Sequence, residues 1–197
     1  DLHLLFLVHL PICHVYGRSC DYHVGGLSQR GILAFEPDFG RIPKTLKELR
    51  PNVIISIPRF FEKVYDQITS AVAKQPKAVQ SLFAWAMRQG GKFSDAMASG
   101  TRLGMLDLFL FSQANILVFN KLRKEAGLDR LVMAGSGGGK LSKDVCTFMR
   151  SLGVQLTEGY GLTETSAVLN YNAPEFKGLD RDNLTWFQKK MIDWTYD

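Results

Sequence analysis

Cysteine is scarce in this sequence. Its three residues, Cys13, Cys20 and Cys146, are odd in number and lack the pattern of a disulfide framework, which excludes a small stapled scaffold and makes a reducing, cytoplasmic compartment the expectation. Long apolar runs are missing too. A membrane-spanning helix needs about 18–20 uninterrupted apolar residues, and the best candidates are broken by His3, His9 and Pro11 or by Ser112, Gln113 and Asn115. Peripheral contact with a membrane stays open. The apolar opening has no basic flank and no small-residue cleavage site, so it does not read as a signal peptide. There is no internal repeat and no low-complexity tract. Charge of one sign is in small excess: a net +5 suits an anionic ligand or a phospholipid surface but is too small and too dispersed for nucleic acid.

The sequence does supply a core. Of 197 residues, 46% are hydrophobic and 13 are phenylalanine, which excludes disorder and points to a large apolar interior or pocket. The chain enters at once into an apolar run from Asp1, and it is read as a piece of something larger. Strand-like segments at residues 2–10, 31–35, 52–57, 130–134 and 154–157 alternate with helical ones at 22–27, 44–49 and 143–152. Pro58 stands where a first helical turn accepts proline, and Phe61, Val64, Tyr65 and Ile68 follow at helical spacing. Residues 71–129 read as a helical excursion, broken at Gly90–Gly91 and resumed over 103–122. The expected fold is α/β, a largely parallel sheet with helices on both faces, and its ligands belong at the carboxyl ends of the strands.

Two glycine-bearing loops follow predicted strands. Glu158-Gly159-Tyr160-Gly161-Leu162-Thr163-Glu164-Thr165-Ser166 gathers turn glycines, an aromatic, hydroxyls and carboxylates into one short loop. Glycines admit a phosphate to the backbone, Tyr160 offers a base a flat face, Thr163 can donate to a phosphate oxygen, and Glu164 can hold magnesium. The competing reading is an ordinary strand-to-helix turn, with Thr163 as cap and Glu164 in the first helical turn. The second loop, Gly135 to Gly139, precedes a helix and could face an anion or a ring with its amides. Together with Lys140 it nearly spells a P-loop, which keeps a nucleotide hydrolase or kinase as the alternative; Leu141 stands where that motif needs a magnesium-holding hydroxyl, and Ser142 is one residue late. His9, Cys13, Cys20 and His23 have ligand-like spacings, but no paired Cys-x-x-Cys knuckle supports zinc.

The first loop resembles, almost letter for letter, the YGLTETS motif of AMP-forming acyl-CoA synthetases of the long-chain fatty-acid branch. Three further segments resemble the same family in the same order: Leu10 to Arg18 its LPLSHVYER-type segment, Leu49 to Tyr65 its LRPTVFISVPRVFEKVY block, and Ser136, Gly137, Leu141 and Ser142 its SGAAPLS segment. Gly138, Gly139 and Lys140 depart from the alanines and proline usual there.

The resemblance implies a partial adenylation-domain sheet, with residues 1–172 part of an N-terminal AMP-binding domain and 173–197 a divergent tail. It implies an ATP-dependent long-chain fatty acid:CoA ligase that uses magnesium, with fatty acid, ATP and coenzyme A as substrates. Thr163 and Glu164 would be catalytic and Glu164 would hold the metal. Gly137, Glu158, Gly159, Tyr160, Gly161 and Thr163 would bind the nucleotide, and His14 would lie beside the acyl and adenylate groups. Acyl-tunnel residues would lie near the third segment, where an ion pair between Arg59 and Glu62 is expected. The family's upstream phosphate loop and downstream C-terminal domain are not within these residues, so the isolated chain is expected to be inactive, and a non-catalytic binding module is a further reading.

Overall fold

Short β-branched and aromatic runs between proline and glycine punctuation become strands. In the computed structural model, which describes residues 3–99 and 101–171, six of them join one sheet in the order β2-β1-β3-β4-β5-β6. The strands are β1 (Leu5–Val8), β2 (Ile32–Phe35), β3 (Val53–Ser56), β4 (Met133–Ser136), β5 (Leu156–Leu162) and β6 (Ala167–Tyr171). The first five are mutually parallel and β6 alone runs antiparallel, against β5. The largely parallel α/β sheet is therefore as expected. The tail from residue 173 lies outside the described residues.

Register sorts the side chains into two cores. Leu7, Ile54, Ala134 and Leu156 are paired across four adjacent strands, and all are buried on one face. Phe6, Val8, Val53 and Ile55 fill the other face. A parallel sheet covered on both sides needs apolar residues at successive positions, and β3 is buried at all four.

The first face is roofed by helices α1 (Ile42–Leu49), α2 (Pro58–Ala73) and α6 (Lys143–Ser151), with α3 (Lys77–Ser99) packed over α2 and α6. The second face is covered by a π-helical segment, Gly17–Ser28. Helix α4 (Met105–Ala114) returns along α3, widens through a π-helical turn at Asn115–Phe119, and continues as α5 (Asn120–Ala126).

Local signals explain the boundaries. Pro58 opens α2 directly after the extended Ile57, as its fixed φ and missing N–H allow. Helix α1 ends on Arg50 in the left-handed region at φ +49°, ahead of Pro51. The Arg50 guanidinium is anchored to Asp129, Nε donating to Oδ1 at 2.9 Å. Gly127 ends α5 at φ +74° with its Cα against the Leu46 backbone, a place where a side chain would collide.

The expected break at Gly90–Gly91 is absent: α3 runs through both residues as one 23-residue helix. The glycine serves packing. A Cβ on Gly90 would lie 2.7 Å from both the Cβ and the carbonyl oxygen of Ser151, whereas one on Gly91 would meet nothing within 4 Å. Gly90 is thus a point of close approach between α3 and α6.

The two neighbouring glycines should respond with opposite signs. Alanine in a helix interior gains about 0.5–1 kcal/mol over glycine, so Gly91→Ala should raise the unfolding free energy by that amount. Gly90→Ala meets backbone that cannot swing aside, and overpacking of about 1–3 kcal/mol should leave it destabilised. Denaturant titration of both variants checks this, and stabilisation of both would contradict the packing account.

Candidate functional site

The carboxyl ends of β1 to β5 open onto one rim of the sheet, where ligands of such folds gather. The 158–166 segment stands there as a hairpin tip rather than as a loop. Glu158, Gly159, Tyr160 and Gly161 belong to β5, residues 163–166 turn, and β6 returns beside them. The expectation of a loop, and the competing one of a helix capped by Thr163, both give way because strand β6 follows.

The tip is shaped by glycine and strain. A Cβ on Gly161 would run into the Ala167 carbonyl, so only glycine closes this hairpin. The ladder shifts register between Tyr160 and Gly161, and Ser166 and Ala167 hold φ of +60° and +95°. Non-glycine residues in that region are uncommon and concentrate at functional sites. The Thr165 hydroxyl stitches the turn: Oγ1 accepts from the Leu162 amide at 2.9 Å and lies 3.0 and 3.2 Å from the carbonyls of Leu162 and Ala167. Sequence reasoning gave Thr165 no role. With Thr165 spent on the backbone, Thr163 and Glu164 are left exposed, and Glu164 has no ion-pair partner among the described residues.

The two glycine-bearing segments are joined directly. Glu158 Oε1 accepts from the Leu141 amide at 3.0 Å. Alternation along β5 puts Tyr160, 59% exposed, on the same face as Glu158. Beyond β4 the chain passes through Gly138 at φ +75° to Ser142, whose Oγ caps α6 by accepting from the Val145 amide at 3.2 Å. In a P-loop the four residues before the glycine-lysine pair form the phosphate cradle; here Gly135 and Ser136 are strand and Leu141 is buried core. The P-loop alternative therefore has no cradle.

The N-terminal segment reaches the same rim through a residue other than the one singled out. His14 is exposed and its Nδ1 accepts from the Tyr16 amide at 3.2 Å. Tyr16 makes the contact: its ring lies where a Cβ on Gly137 would come within 2.8 Å, and its hydroxyl donates to the Ser56 carbonyl at 3.4 Å. Ser19 Oγ donates to the Ser166 carbonyl at 3.4 Å. Tyr16, not His14, thus explains why position 137 is glycine, a role a sequence motif cannot display.

The zinc reading fails on topology. His9 packs on Phe39 and Phe60 on the helix-covered face, while Cys20 packs into the opposite cluster. Among the described residues no three of His, Cys, Asp and Glu gather to hold a metal. The lone exposed carboxylate of Glu164 suits a cation that draws its other oxygens from water and phosphate, as magnesium does. The expected Arg59–Glu62 ion pair is not formed; both residues instead line a shallow depression of about 600 Å³ with Lys63 and Asp66.

Three titratable groups near the rim are displaced by burial. Asp21 faces the sheet between Gly17 and Gly25, fully buried with neither carboxylate oxygen hydrogen-bonded, and its pKa rises to about 7. Burial pulls His9 down to about 4 and pushes the Cys20 thiol up to about 12. Glu36, after β2, is held below the usual carboxylate range by the Thr45 hydroxyl, which donates to it at 2.7 Å, so its oxygens are already engaged.

Residues 2–186 match the family of AMP-binding enzymes. The chain is 34% identical over 162 residues to Long-chain-fatty-acid–CoA ligase ACSBG2 of Rattus norvegicus, the match covering 80% of this chain and 24% of that protein. It is 32% identical over 168 residues to the peroxisomal Long chain acyl-CoA synthetase 7 of Arabidopsis thaliana, covering 84% and 22%. The crystal structure of apo MatB from Rhodopseudomonas palustris shares the fold at a TM-score of 0.51 and 18% identity, covering 88% of this chain and 24% of that one. The chain spans about a quarter of the length of the curated relatives it matches.

Burial of Asp21 and His9 makes a pH prediction. Unfolded Asp21 titrates at 3.8 and folded Asp21 at about 7, so the folded state holds the extra proton and loses stability as pH rises through that window. His9 runs the other way, from 6.5 unfolded to about 4 folded, and adds stability as pH rises. The two slopes oppose each other and flatten the profile. Asp21→Asn removes the carboxylate. It should add on the order of 2–4 kcal/mol at about pH 8, with the gain shrinking toward about pH 4 and a rising slope from His9 laid bare. Denaturant titrations across pH read this; a gain independent of pH would contradict the buried carboxylate.

Proposed function

The chain belongs to the AMP-binding enzyme family, and on that premise we propose that it forms part of the nucleotide-holding N-terminal domain of an ATP-dependent long-chain fatty acid:CoA ligase. Residues 1–172 are that part, and 173–197 a divergent tail. The observation that carries the reading is the Glu158–Leu141 hydrogen bond. It locks the glycine loop to the hairpin and leaves Tyr160, Thr163 and Glu164 standing open on one rim.

The proposed reaction has two steps. A fatty carboxylate attacks the α-phosphorus of ATP and releases pyrophosphate; the thiol of coenzyme A then takes the acyl group from the adenylate and releases AMP. Both reactants of the first step are anions, so their repulsion must be offset by donors aimed at the charge that develops. Thr163 would donate to a phosphate oxygen. Glu164 would hold magnesium, which when bound draws charge from the phosphates. Tyr160 would pack on adenine, with Glu158, Gly159 and Gly161 lining the nucleotide and Gly137 at the boundary of adenine and acyl chain. His14 would lie beside the acyl end. We read its compartment as a reducing, cytoplasmic one, a reading supported by three cysteines that are odd in number and show no disulfide framework.

In the complete enzyme, Glu164→Ala should slow acyl-adenylate formation by about 100- to 1,000-fold while leaving the melting temperature unchanged, because the side chain is exposed. Tyr160→Ala should weaken AMP binding by about 1–3 kcal/mol. Lys140→Ala should change neither. Pyrophosphate release and calorimetry measure these effects, and adenylate formation at the parent rate in Glu164→Ala would overturn the assignment.

A further inference from the structure

Two residues nearer the carboxyl edge than the buried apolar row, the same face of the sheet turns polar. Ser56 pairs with Ser136, and Ser136 with Glu158. His9 falls beside Ser56, two residues beyond the Leu7–Ile54 pair. Alternation along each strand puts all four on the helix-covered side, next to Leu7, Ile54, Ala134 and Leu156. A parallel sheet covered on both faces fills such positions with apolar side chains, so a polar row there calls for a physical reason.

The hydrogen bonds of this row do not close within the protein. Ser56 and Ser136 are fully buried, and neither hydroxyl has a protein partner; His9 Nε2 has none either. Of the seven buried side-chain atoms left unpartnered among the described residues, three therefore share one row. Buried polar atoms are nearly always paired, and a hydroxyl rotates freely toward any partner in reach, so what these lack is distance rather than orientation. Neighbouring strands stand about 4.8 Å apart. That is too far for two parallel hydroxyls to bond directly, and it is the span a water bridges with two bonds of about 2.8 Å.

The ends of the row fit the same partner. Burial keeps the His9 ring neutral, with one nitrogen a donor and the other an acceptor, so Nε2 can pair with water in either tautomer. The ring rests on Phe39 and Phe60, which also line the groove between α1 and α2; solvent thus comes within one side-chain layer of the row. At the far end Glu158 gives one oxygen to the Leu141 amide, and its carboxylate is the next acceptor along the row after Ser136.

We propose that Ser56 and Ser136 hold ordered water between the sheet and its helix cover, with His9 closing one end and Glu158 the other, and that both serines are positioning residues. The water fixes the Glu158 carboxylate, and Glu158 fixes the glycine loop through Leu141. The positioning role rests on the nucleotide reading of the rim; the water site does not.

The test uses the complete enzyme in two arms. A crystal structure that resolves solvent should place water within about 3.2 Å of both serine hydroxyls, and a dry row would overturn the proposal. Calorimetry with AMP reads the positioning. Ser136→Ala and Ser56→Ala should each weaken AMP binding about fivefold, although Ser56 lies two strands from Glu158. The double variant should lose little more than either single one, because the chain of water is broken once. Ser151→Ala removes an equally buried, equally unpartnered hydroxyl elsewhere and should leave AMP binding unchanged. Unaltered affinity in both row variants, additive losses, or an equal loss in Ser151→Ala would overturn the positioning role. A parent that binds no AMP would overturn the nucleotide reading and the positioning role together, and the crystal structure would then decide the water site by itself.

Discussion

The site depends on the parallel register of one buried row, Leu7–Ile54–Ala134–Leu156. Because these residues sit at one level, β1, β3, β4 and β5 share a common carboxyl edge. A slip of one residue would move the whole row to the other face, carrying Glu158 away from Leu141 and the Gly137 approach away from Tyr16. Apolar burial thus sets the height of the polar groups. The rim is positioned by the core rather than by its own few hydrogen bonds.

At that rim the backbone carries strain that the neighbouring residues offset. Left-handed φ at Ser166 and Ala167 costs on the order of 1–3 kcal/mol per residue. The Thr165 hydroxyl, the glycine at 161 and the pairing of β5 with β6 hold the turn despite it. In this turn Thr163 and Glu164 are exposed to solvent. Asp21 is a further cost: a carboxylate sealed between the π-helical segment and the sheet, on the element that follows directly after Tyr16.

Much of the fold was legible because local chemistry and tertiary structure agree. Proline at 58 starts a helix, Arg50-Pro51 ends one, and β-branched runs become the parallel strands. The 158–166 segment stands out in composition, since glycine, aromatic, hydroxyl and carboxylate fall within nine residues, and the structure brings it to the rim as a hairpin tip. Disagreements arose where a long-range neighbour decides. Gly90 reads as a breaker until Ser151 is placed against it. The 163–166 segment reads as a turn into a helix until β6 supplies an antiparallel partner. The histidine-cysteine cluster dissolves once alternation along β1 sends His9 to the opposite face from Cys20. Tyr16 stayed hidden because its signal is the absence of a side chain 121 residues later, at Gly137.

The central claim is that adenine nucleotide sits at the rim built by the glycine loop and the hairpin. Photolabelling of the complete enzyme with an azidoadenine nucleotide, followed by peptide mapping, tests it most directly. The account predicts label on residues 137–142 and 158–165, competed away by AMP. Competable label confined instead to the groove between α1 and α2, lined by Phe39, Leu46, Lys47, Phe60 and Lys63, would contradict it.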